Sequence, residues 1–339
     1  VLRHFLRGDD WSDAEVLSLL DEAIALKAAP RTKAVCDGKI LATVFFDPSL
    51  RTRTSMEVAM AREGGRCVVL EPGKGSWPIE TRPGVVMDGD TVEHLIDAAR
   101  VLGRYADALA VRSFPKEATW EEARKDAVLH GFAEHAGVPV INLESARRHP
   151  CQGLADAMTI RERLGRDARE RKFVLMWAWH PKPLPVAVPN SAALAGAVLG
   201  MNVTIAHPPG YDLDPEDLAS IGELASRSGG RVEVTHDLDA AVEGADVVYA
   251  KSWGALSAFG DREAEATLRA GKRSWIADER RMGATRDGKG IFLHCLPVRR
   301  GVEASHGVLD GPWSAVVDEA ENRLHAQRAL LRRILGENA

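Results

Sequence analysis

Three separated segments of this chain carry side chains suited to gripping one small anion and polarising a carbonyl beside it. They are Ser49-Leu50-Arg51-Thr52-Arg53-Thr54-Ser55, His149-Pro150-Cys151-Gln152, and His294-Cys295-Leu296-Pro297-Val298-Arg299-Arg300. Hydroxyls and guanidinium forks match phosphate oxygens, while an imidazole and a carboxamide match a polar carbonyl group. The inventory points to a phosphorylated, carbonyl-bearing substrate.

The first segment follows an apolar run, Ile40 to Phe46, and opens a helix. Free N–H groups at a helix start attract phosphate, and the helix dipole adds to the field. Arg51 and Arg53 lie two apart, so one of them faces elsewhere. Arg112 ends a strand, where a further clamp could act. Each arginine taken alone is equally compatible with a surface or interdomain salt bridge. No Walker A loop is present, because the glycines and the Gly-Lys-Ser/Thr ending are missing. His149 and Gln152 fall just inside a predicted helix start and near one face; taken alone they also fit a cap and a packed polar contact. His294 and Cys295 end a strand, so their side chains point to opposite faces and the imidazole is badly placed to activate its neighbour. A buried strand end explains that pair equally well. A zinc reading lacks a second ligand pair at metal spacing. Arg299 and Arg300 extend a basic rim, one directed at the anion and one at solvent.

The elements that must hold these groups alternate between strand and helix. Ser12 caps the first helix, with Glu15 at the capping-box position. Strands are expected at Ile40–Phe46, Cys67–Leu70, Ala108–Arg112 and Val140–Leu143, with a long loop from Glu71 to Asp90 holding Trp77 and a helix near His94 to Leu102. A helix from Cys151 to Leu164 joins two halves. The second half offers strands at Phe173–Trp179, Val203–His207, Arg231–Thr235, Val247–Ala250, Ser274–Ala277 and Ile291–Cys295. This is an α/β chain of two domains, each with a parallel sheet covered by helices. The expected division is 1–150 and 151–318, with a C-terminal helix at about 319–339 packing back on the first domain. Binding loops belong beyond the carboxyl ends of the strands, facing the interdomain cleft.

Bulk properties agree with a soluble enzyme. The chain has 339 residues, enough for two cores, with 45% hydrophobic and 27% charged residues. Its 44 basic and 49 acidic residues give a net charge of -5, which recruits neither nucleic acid nor an anionic membrane. The four cysteines, Cys36, Cys67, Cys151 and Cys295, form no CxxC and imply a reducing, cytoplasmic setting. No apolar run is long enough to span a bilayer, and the first residues lack a signal-peptide pattern. Neither half has a Gly-x-Gly-x-x-Gly after a strand, which argues against a dinucleotide enzyme.

Taken together, the three segments resemble the aspartate/ornithine carbamoyltransferase superfamily. Ser49-Leu50-Arg51-Thr52-Arg53 resembles its Ser-x-Arg-Thr-Arg signature, and the His149 and His294 segments resemble its other two motifs, in the same order. The likeness extends to the N-acetylornithine and N-succinylornithine branch through Trp77 in its loop, Met87-Asp88-Gly89-Asp90, Glu144, Trp179-His180-Pro181-Lys182-Pro183 and Lys251-Ser252-Trp253-Gly254. Ordinary ornithine enzymes carry Ser-Met-Gly with a nearby Asp where this chain has Lys251. Acylation removes the α-ammonium an Asp would pair and leaves a carboxylate that Lys251 can pair.

The resemblance implies a homotrimer with active sites shared between subunits in interdomain clefts. It implies carbamoyl phosphate contacts from Ser49, Leu50, Arg51, Thr52, Arg112, His149, Gln152, Arg323 and Trp77 of a neighbouring chain. It implies acyl-ornithine contacts from Glu144, His180, Lys251, Cys295 and Leu296. Arg112, His149, Thr52 and Cys295 would serve the transfer itself, with Cys295 given no covalent role and with no cofactor or metal required. Two positions depart from the acetyl pattern. Val92 stands where that pattern has a glutamate, so the negatively charged succinyl tail is no longer repelled; an apolar residue tolerated at a helix start is the plainer explanation. Glu303 stands where that pattern has a lysine that can be carboxylated, so it supplies an anion directly; a solvated acid at a helix start is its plainer role. The expected reaction is carbamoyl transfer to N-succinylornithine, or to N-acetylornithine, in arginine biosynthesis. An ordinary ornithine carbamoyltransferase and a non-catalytic carbamoyl phosphate sensor are the alternatives.

Overall fold

The computed structural model describes residues 2–29 and 33–336. It divides into two compact units: Val1–Lys116 with Glu121–Cys151 and Arg323–Ala339, and Glu117–Trp120 with Gln152–Asn322. In chain order the elements up to the second sheet are α1 (Asp13–Ala28), β1 (Ile40–Phe45), α2 (Arg51–Arg62), β2 (Arg66–Leu70), β3 (Ile79–Glu80), β4 (Glu93–His94), α3 (Leu95–Tyr105), β5 (Ala108–Arg112), α4 (Trp120–Ala123), α5 (Ala127–His135), β6 (Val140–Glu144) and α6 (Pro150–Leu164). Then follow β7 (Lys172–Trp177), α7 (Ala187–Val198), β8 (Asn202–Ala206), α8 (Pro215–Ser228), β9 (Arg231–Thr235), α9 (Leu238–Val242), β10 (Val247–Lys251), α10 (Arg262–Arg269), α11 (Glu279–Gly283), β11 (Ile291–Leu293), α12 (His306–Asp310) and α13 (Val316–Leu335). The division between units falls inside α6 and α13. The expected helix end at 337–339 lies outside the described residues.

The first unit is built on a parallel sheet of order β2-β1-β5-β6. Its strands are apolar because helices cover the faces: Val44, Leu109, Val111 and Val140 pack against Leu95, Leu129 and Phe132. Gly103 lets α3 press onto the loop after α5, where a Cβ would stand 1.7 Å from the Ala136 carbonyl oxygen. Ser12 forms the expected capping box, its backbone N–H donating to Glu15 Oε2 at 2.9 Å.

The second unit carries a parallel sheet of order β11-β10-β7-β8-β9. Val174, Met176, Val248 and Phe292 form its core with Leu238, Met282 and Val308. The alanine-rich α7 is buried over its whole length. Each sheet reverses direction of growth once, between β1 and β5 and between β7 and β10. Strand ends at such a reversal leave a crevice that ligands occupy. Phe45 and Arg112 end the first pair, and Trp177 and Lys251 end the second.

Two local expectations need correction. Ser274–Ala277 is not a sheet strand; Ala277 makes only an isolated bridge to Ala304. The carbonyls of Ser274 and Ile276 accept from Arg281 Nη1 at 3.0 and 2.8 Å, so a guanidinium replaces the strand partner. The loop from Glu71 to Asp90 is also not wholly irregular, because β3 pairs with β4. No described helix is long and apolar enough to cross a membrane.

Candidate active site

In the first unit, β1 ends in Phe46-Asp47-Pro48 and the chain turns into α2. Asp47 Oδ2 accepts from the Phe114 backbone N–H at 2.8 Å, fastening this turn to the segment after β5. Leu50, at the N-cap position, offers no side-chain cap, and instead Ser49 Oγ accepts from the Thr52 backbone N–H at 3.2 Å. The first turn of α2 contains no acidic residue, so the positive end of its dipole is unopposed locally. Thr52 is buried and its hydroxyl accepts from Arg323 Nη2 at 2.7 Å. Arg53 turns away and pairs with Glu57 and Glu71, both at 3.0 Å. Ser49, Thr52 and Arg323 thus meet at this helix start.

Arg112, at the end of β5, is buried and paired through Nη1 with the Glu144 carboxylate at the end of β6. Its Nε is buried without a hydrogen-bond partner among the described residues, and its guanidinium lies 4.5 Å from the Phe114 ring centre. The His149 Nε2 stands 3.5 Å from Glu144 Oε2. Burial, followed by the nearby Arg323 and Arg112 charges, drives the His149 pKa well below that of an ordinary imidazole. His149 is therefore neutral at pH 7, able to donate a hydrogen bond without bringing a charge. It sits one residue before α6 rather than inside it, since Pro150 takes the first helical position, where its missing N–H costs nothing. Burial pushes the neighbouring Cys151 thiol up to about 12, and its Sγ lies 3.7 Å from the Asn142 carbonyl oxygen. Trp77 and Val92 are exposed, on a segment that also exposes Val86 and Met87.

In the second unit, Gln152 is buried on the first turn of α6. Its Nε2 donates to Asp156 Oδ1 at 2.8 Å and to Glu319 Oε1 at 2.9 Å. Glu319 Oε2 accepts from the His294 backbone N–H at 2.8 Å, and the Tyr249 hydroxyl donates to Glu319 Oε1 at 3.3 Å. His294 and Cys295 lie just past β11, whose last residue is Leu293. His294 Nδ1 accepts from the Leu296 N–H at 2.9 Å, so its proton sits on Nε2, 3.5 Å from Glu303 Oε1. Leu296 has φ 55°, a left-handed conformation that costs a branched residue on the order of 1 kcal/mol and often marks a functional turn. A cis bond joins it to Pro297.

Glu303 is buried and accepts from the Arg299 N–H at 2.9 Å. Burial alone would raise its carboxyl, but His294, the Lys251 ammonium and the Arg299 N–H outweigh that and hold it at about 2. His180, past the end of β7, accepts from Arg299 Nε at 2.8 Å through Nε2. A guanidinium only donates, so the ring proton is on Nδ1, which donates to the Lys182 carbonyl at 2.8 Å. Burial, the largest influence, lowers its pKa. Arg300 points to the surface and pairs with Asp310. Lys251, at the end of β10, is buried to 7% exposure, yet its ammonium makes no hydrogen bond and no ion pair within 4 Å among the described residues.

Sequence reasoning missed Asp156 and Glu319. Asp156 is four residues beyond Gln152 on one helix, a spacing that announces a pair. Glu319 has no local signal, since it acts on residues 167 and 25 positions away. The placement of Glu144 against Arg112 and His149 also had no local signal. Among the described residues no group of three or more His, Cys, Asp and Glu could hold a metal ion.

Residues 3–162 match the family described as aspartate/ornithine carbamoyltransferase, carbamoyl-P binding domain, and residues 186–334 match its Asp/Orn binding domain. The chain is 49% identical over 339 residues to N-acetylornithine carbamoyltransferase of Xanthomonas campestris pv. campestris, covering 99% of each. It is 39% identical over 297 residues to N-succinylornithine carbamoyltransferase of Bacteroides fragilis, covering 88% of this chain and 87% of the other. An acetylornithine transcarbamylase complexed with acetylcitrulline superposes with a TM-score of 0.96 at 48% identity, covering 99% of this chain and 100% of that one. A variant N-acetyl-L-ornithine transcarbamylase complexed with carbamyl phosphate and N-succinyl-L-norvaline gives 0.95 at 49%, covering 98% and 100%. The chain belongs to the aspartate/ornithine carbamoyltransferase family, on its N-acetylornithine and N-succinylornithine branch.

Proposed function

We propose that this protein transfers the carbamoyl group of carbamoyl phosphate to the side-chain amine of an N-acylated ornithine, with N-succinylornithine preferred, as a step of arginine biosynthesis. The observation that carries the acyl assignment is Lys251. Lys251 is 7% exposed and feels Glu303 only from beyond 4 Å, so a ligand carboxylate placed against its ammonium would supply the contact pairing it lacks. An α-N-acylated ornithine has a carboxylate and no α-ammonium, so it answers that need, while free ornithine would bring a second cation.

The phosphoryl group is held by the N–H groups opening α2, the Arg51 guanidinium and the Ser49 hydroxyl, beside Leu50. The amine nitrogen attacks the carbamoyl carbon, the bond from that carbon to the phosphate oxygen breaks, and the amine proton leaves with phosphate. His149 donates to the carbamoyl oxygen as charge builds there, assisted by Arg112 and by Thr52, which Arg323 orients. Each such donor can lower the barrier by about 3 kcal/mol. In the second unit Gln152 meets the carbamoyl amide, Cys295 and Leu296 border the amine, and His180, through Arg299, borders the acyl group. Glu144 serves the acyl-ornithine from its place beside Arg112.

The succinyl preference rests on charge. By resemblance the acetyl branch carries a glutamate where Val92 stands, and removing that charge favours a tail ending in carboxylate. The exposed Trp77, Val86, Met87 and Val92 on one segment favour self-association into a homotrimer in which Trp77 serves a neighbouring subunit. The four free cysteines suit a cytoplasmic setting. Carbamoyl transfer to free, acetylated and succinylated ornithine should be compared under one set of conditions. Turnover highest with the succinyl compound supports the reading; turnover confined to free ornithine, or phosphate never released with any acceptor, rejects it.

A further inference from the structure

Gln152 presents an asymmetry that its own chemistry explains. Both neighbours of its Nε2, Asp156 and Glu319, are fully buried carboxyl groups. Carboxyl oxygens accept, so the amide nitrogen is the atom that must face them, and the flip of the carboxamide is set by its partners. The oxygen is left on the other side. Oε1 is buried, with no hydrogen-bond partner among the described residues. An acceptor left in that state costs about as much as a lost hydrogen bond, so it is an acceptor held ready for a ligand N–H.

We propose that Asp156 and Glu319 are positioning residues that, by both accepting from Nε2, lock the Gln152 carboxamide with its oxygen toward the carbamoyl –NH2. The lock makes the protein discriminate against acyl phosphates that lack this donor. The lock follows from geometry: Nε2 donates to Asp156 Oδ1 at 2.8 Å and to Glu319 Oε1 at 2.9 Å, which uses both of its protons. Burial, and then the neighbouring Asp156, raise the Glu319 pKa well above the carboxylate range. Glu319 also takes the His294 N–H, so the same group ties the amide on α6 to the turn that carries Cys295 and Leu296. The Tyr249 hydroxyl completes the cluster, donating to Glu319 at 3.3 Å. Isosteric Glu319→Gln or Asp156→Asn would introduce an –NH2 beside Gln152. The Gln152 oxygen could then turn toward that new donor, and the orientation would no longer be unique.

This inference rests on the assignment of carbamoyl phosphate as substrate. The test compares equilibrium binding of carbamoyl phosphate with acetyl phosphate, which has –CH3 in place of –NH2, on the full-length protein. Inorganic phosphate is the control for the anion site. The wild-type protein should favour carbamoyl over acetyl phosphate by about tenfold or more. Glu319→Gln and Asp156→Asn should each shrink that ratio to about threefold or less while phosphate affinity stays within about threefold of wild type. Equal affinity of the wild-type protein for the two acyl phosphates overturns the inference. So does a variant that weakens both ligands alike and keeps the ratio, since that is what a merely structural role would do. If neither variant folds, equal wild-type affinities still overturn the inference, and the more conservative Glu319→Asp, read on the same ratio, takes the variants' place. A wild-type protein that neither binds nor turns over carbamoyl phosphate instead overturns the functional assignment, a separate outcome.

Discussion

Arg323 Nη2 donates to the Thr52 hydroxyl at 2.7 Å, a bond between residues 271 positions apart within the first unit. The contact places a guanidinium from α13 at the start of α2 and occupies the acceptor side of Thr52, leaving its proton free to be directed elsewhere. Arg323→Ala should therefore lower kcat/KM for carbamoyl phosphate by about 10- to 100-fold, the usual range for a hydrogen bond to a charged group. Thr52→Ala in the same background should cost less than it does alone. Additive losses in steady-state kinetics would show that the two side chains do not act as a pair.

Acid sensitivity should trace in part to His149. Its folded pKa is depressed and its unfolded pKa is ordinary, so the unfolded chain takes up the proton first. The stability it contributes is full above about pH 6.5 and is lost as pH falls below that value. His149→Asn should flatten the fall in urea-unfolding free energy between about pH 6.5 and 5. An unchanged slope would mean that the ring is not held neutral.

Glu303 works on a lower window. Its folded pKa of about 2 lies below the 4.5 of a free glutamate. Its contribution is present above about pH 4.5 and is lost as pH falls toward 2. The shift corresponds to on the order of 3 kcal/mol at neutral pH. Glu303→Gln should remove that portion of the acid transition. It should also raise KM for the acyl-ornithine, because the Glu303 charge that Lys251 feels from beyond 4 Å is lost. Chemical denaturation at a series of pH values, with acceptor kinetics at pH 7, checks both.

Val92→Glu should shift preference from the succinyl toward the acetyl substrate by about fivefold at low salt. The side chain is exposed, so the shift should shrink as ionic strength rises. A shift toward the succinyl compound in competition assays would break the charge argument.

Stability of the first unit should depend on Glu63, which is fully buried and pairs with Arg328 at 2.7 Å and Arg332 at 2.6 Å. Glu63→Ala leaves a buried guanidinium without its counter-ion and should cost about 3 to 5 kcal/mol. Turnover per folded molecule should hold, since none of these three side chains is assigned to a substrate. A loss below about 1 kcal/mol would show that water reaches the cluster.

The local parts of this protein were legible in its residue order. Ser12 and Glu15 announce their helix, and apolar runs read as strands at Ile40–Phe46 and Val247–Ala250 fall within one residue of the observed ends. Such signals rest on interactions spanning only a few residues. The failure at Ser274–Ala277 is instructive: an apolar run reads as a strand, but Arg281 took its carbonyls, and nothing in the run records that competitor.

Residue order by itself determined which side chains could bind an anion and that strands and helices would alternate. Tertiary structure decided which of those groups meet. It set Arg53 against Glu57 and Glu71, Arg112 against Glu144, and Gln152 between Asp156 and Glu319. It also left Lys251 buried without a counter-ion within 4 Å. The reason is physical: propensity and capping act over one turn of chain, whereas burial and hydrogen-bond satisfaction are settled among residues hundreds of positions apart, once strand order has brought them together.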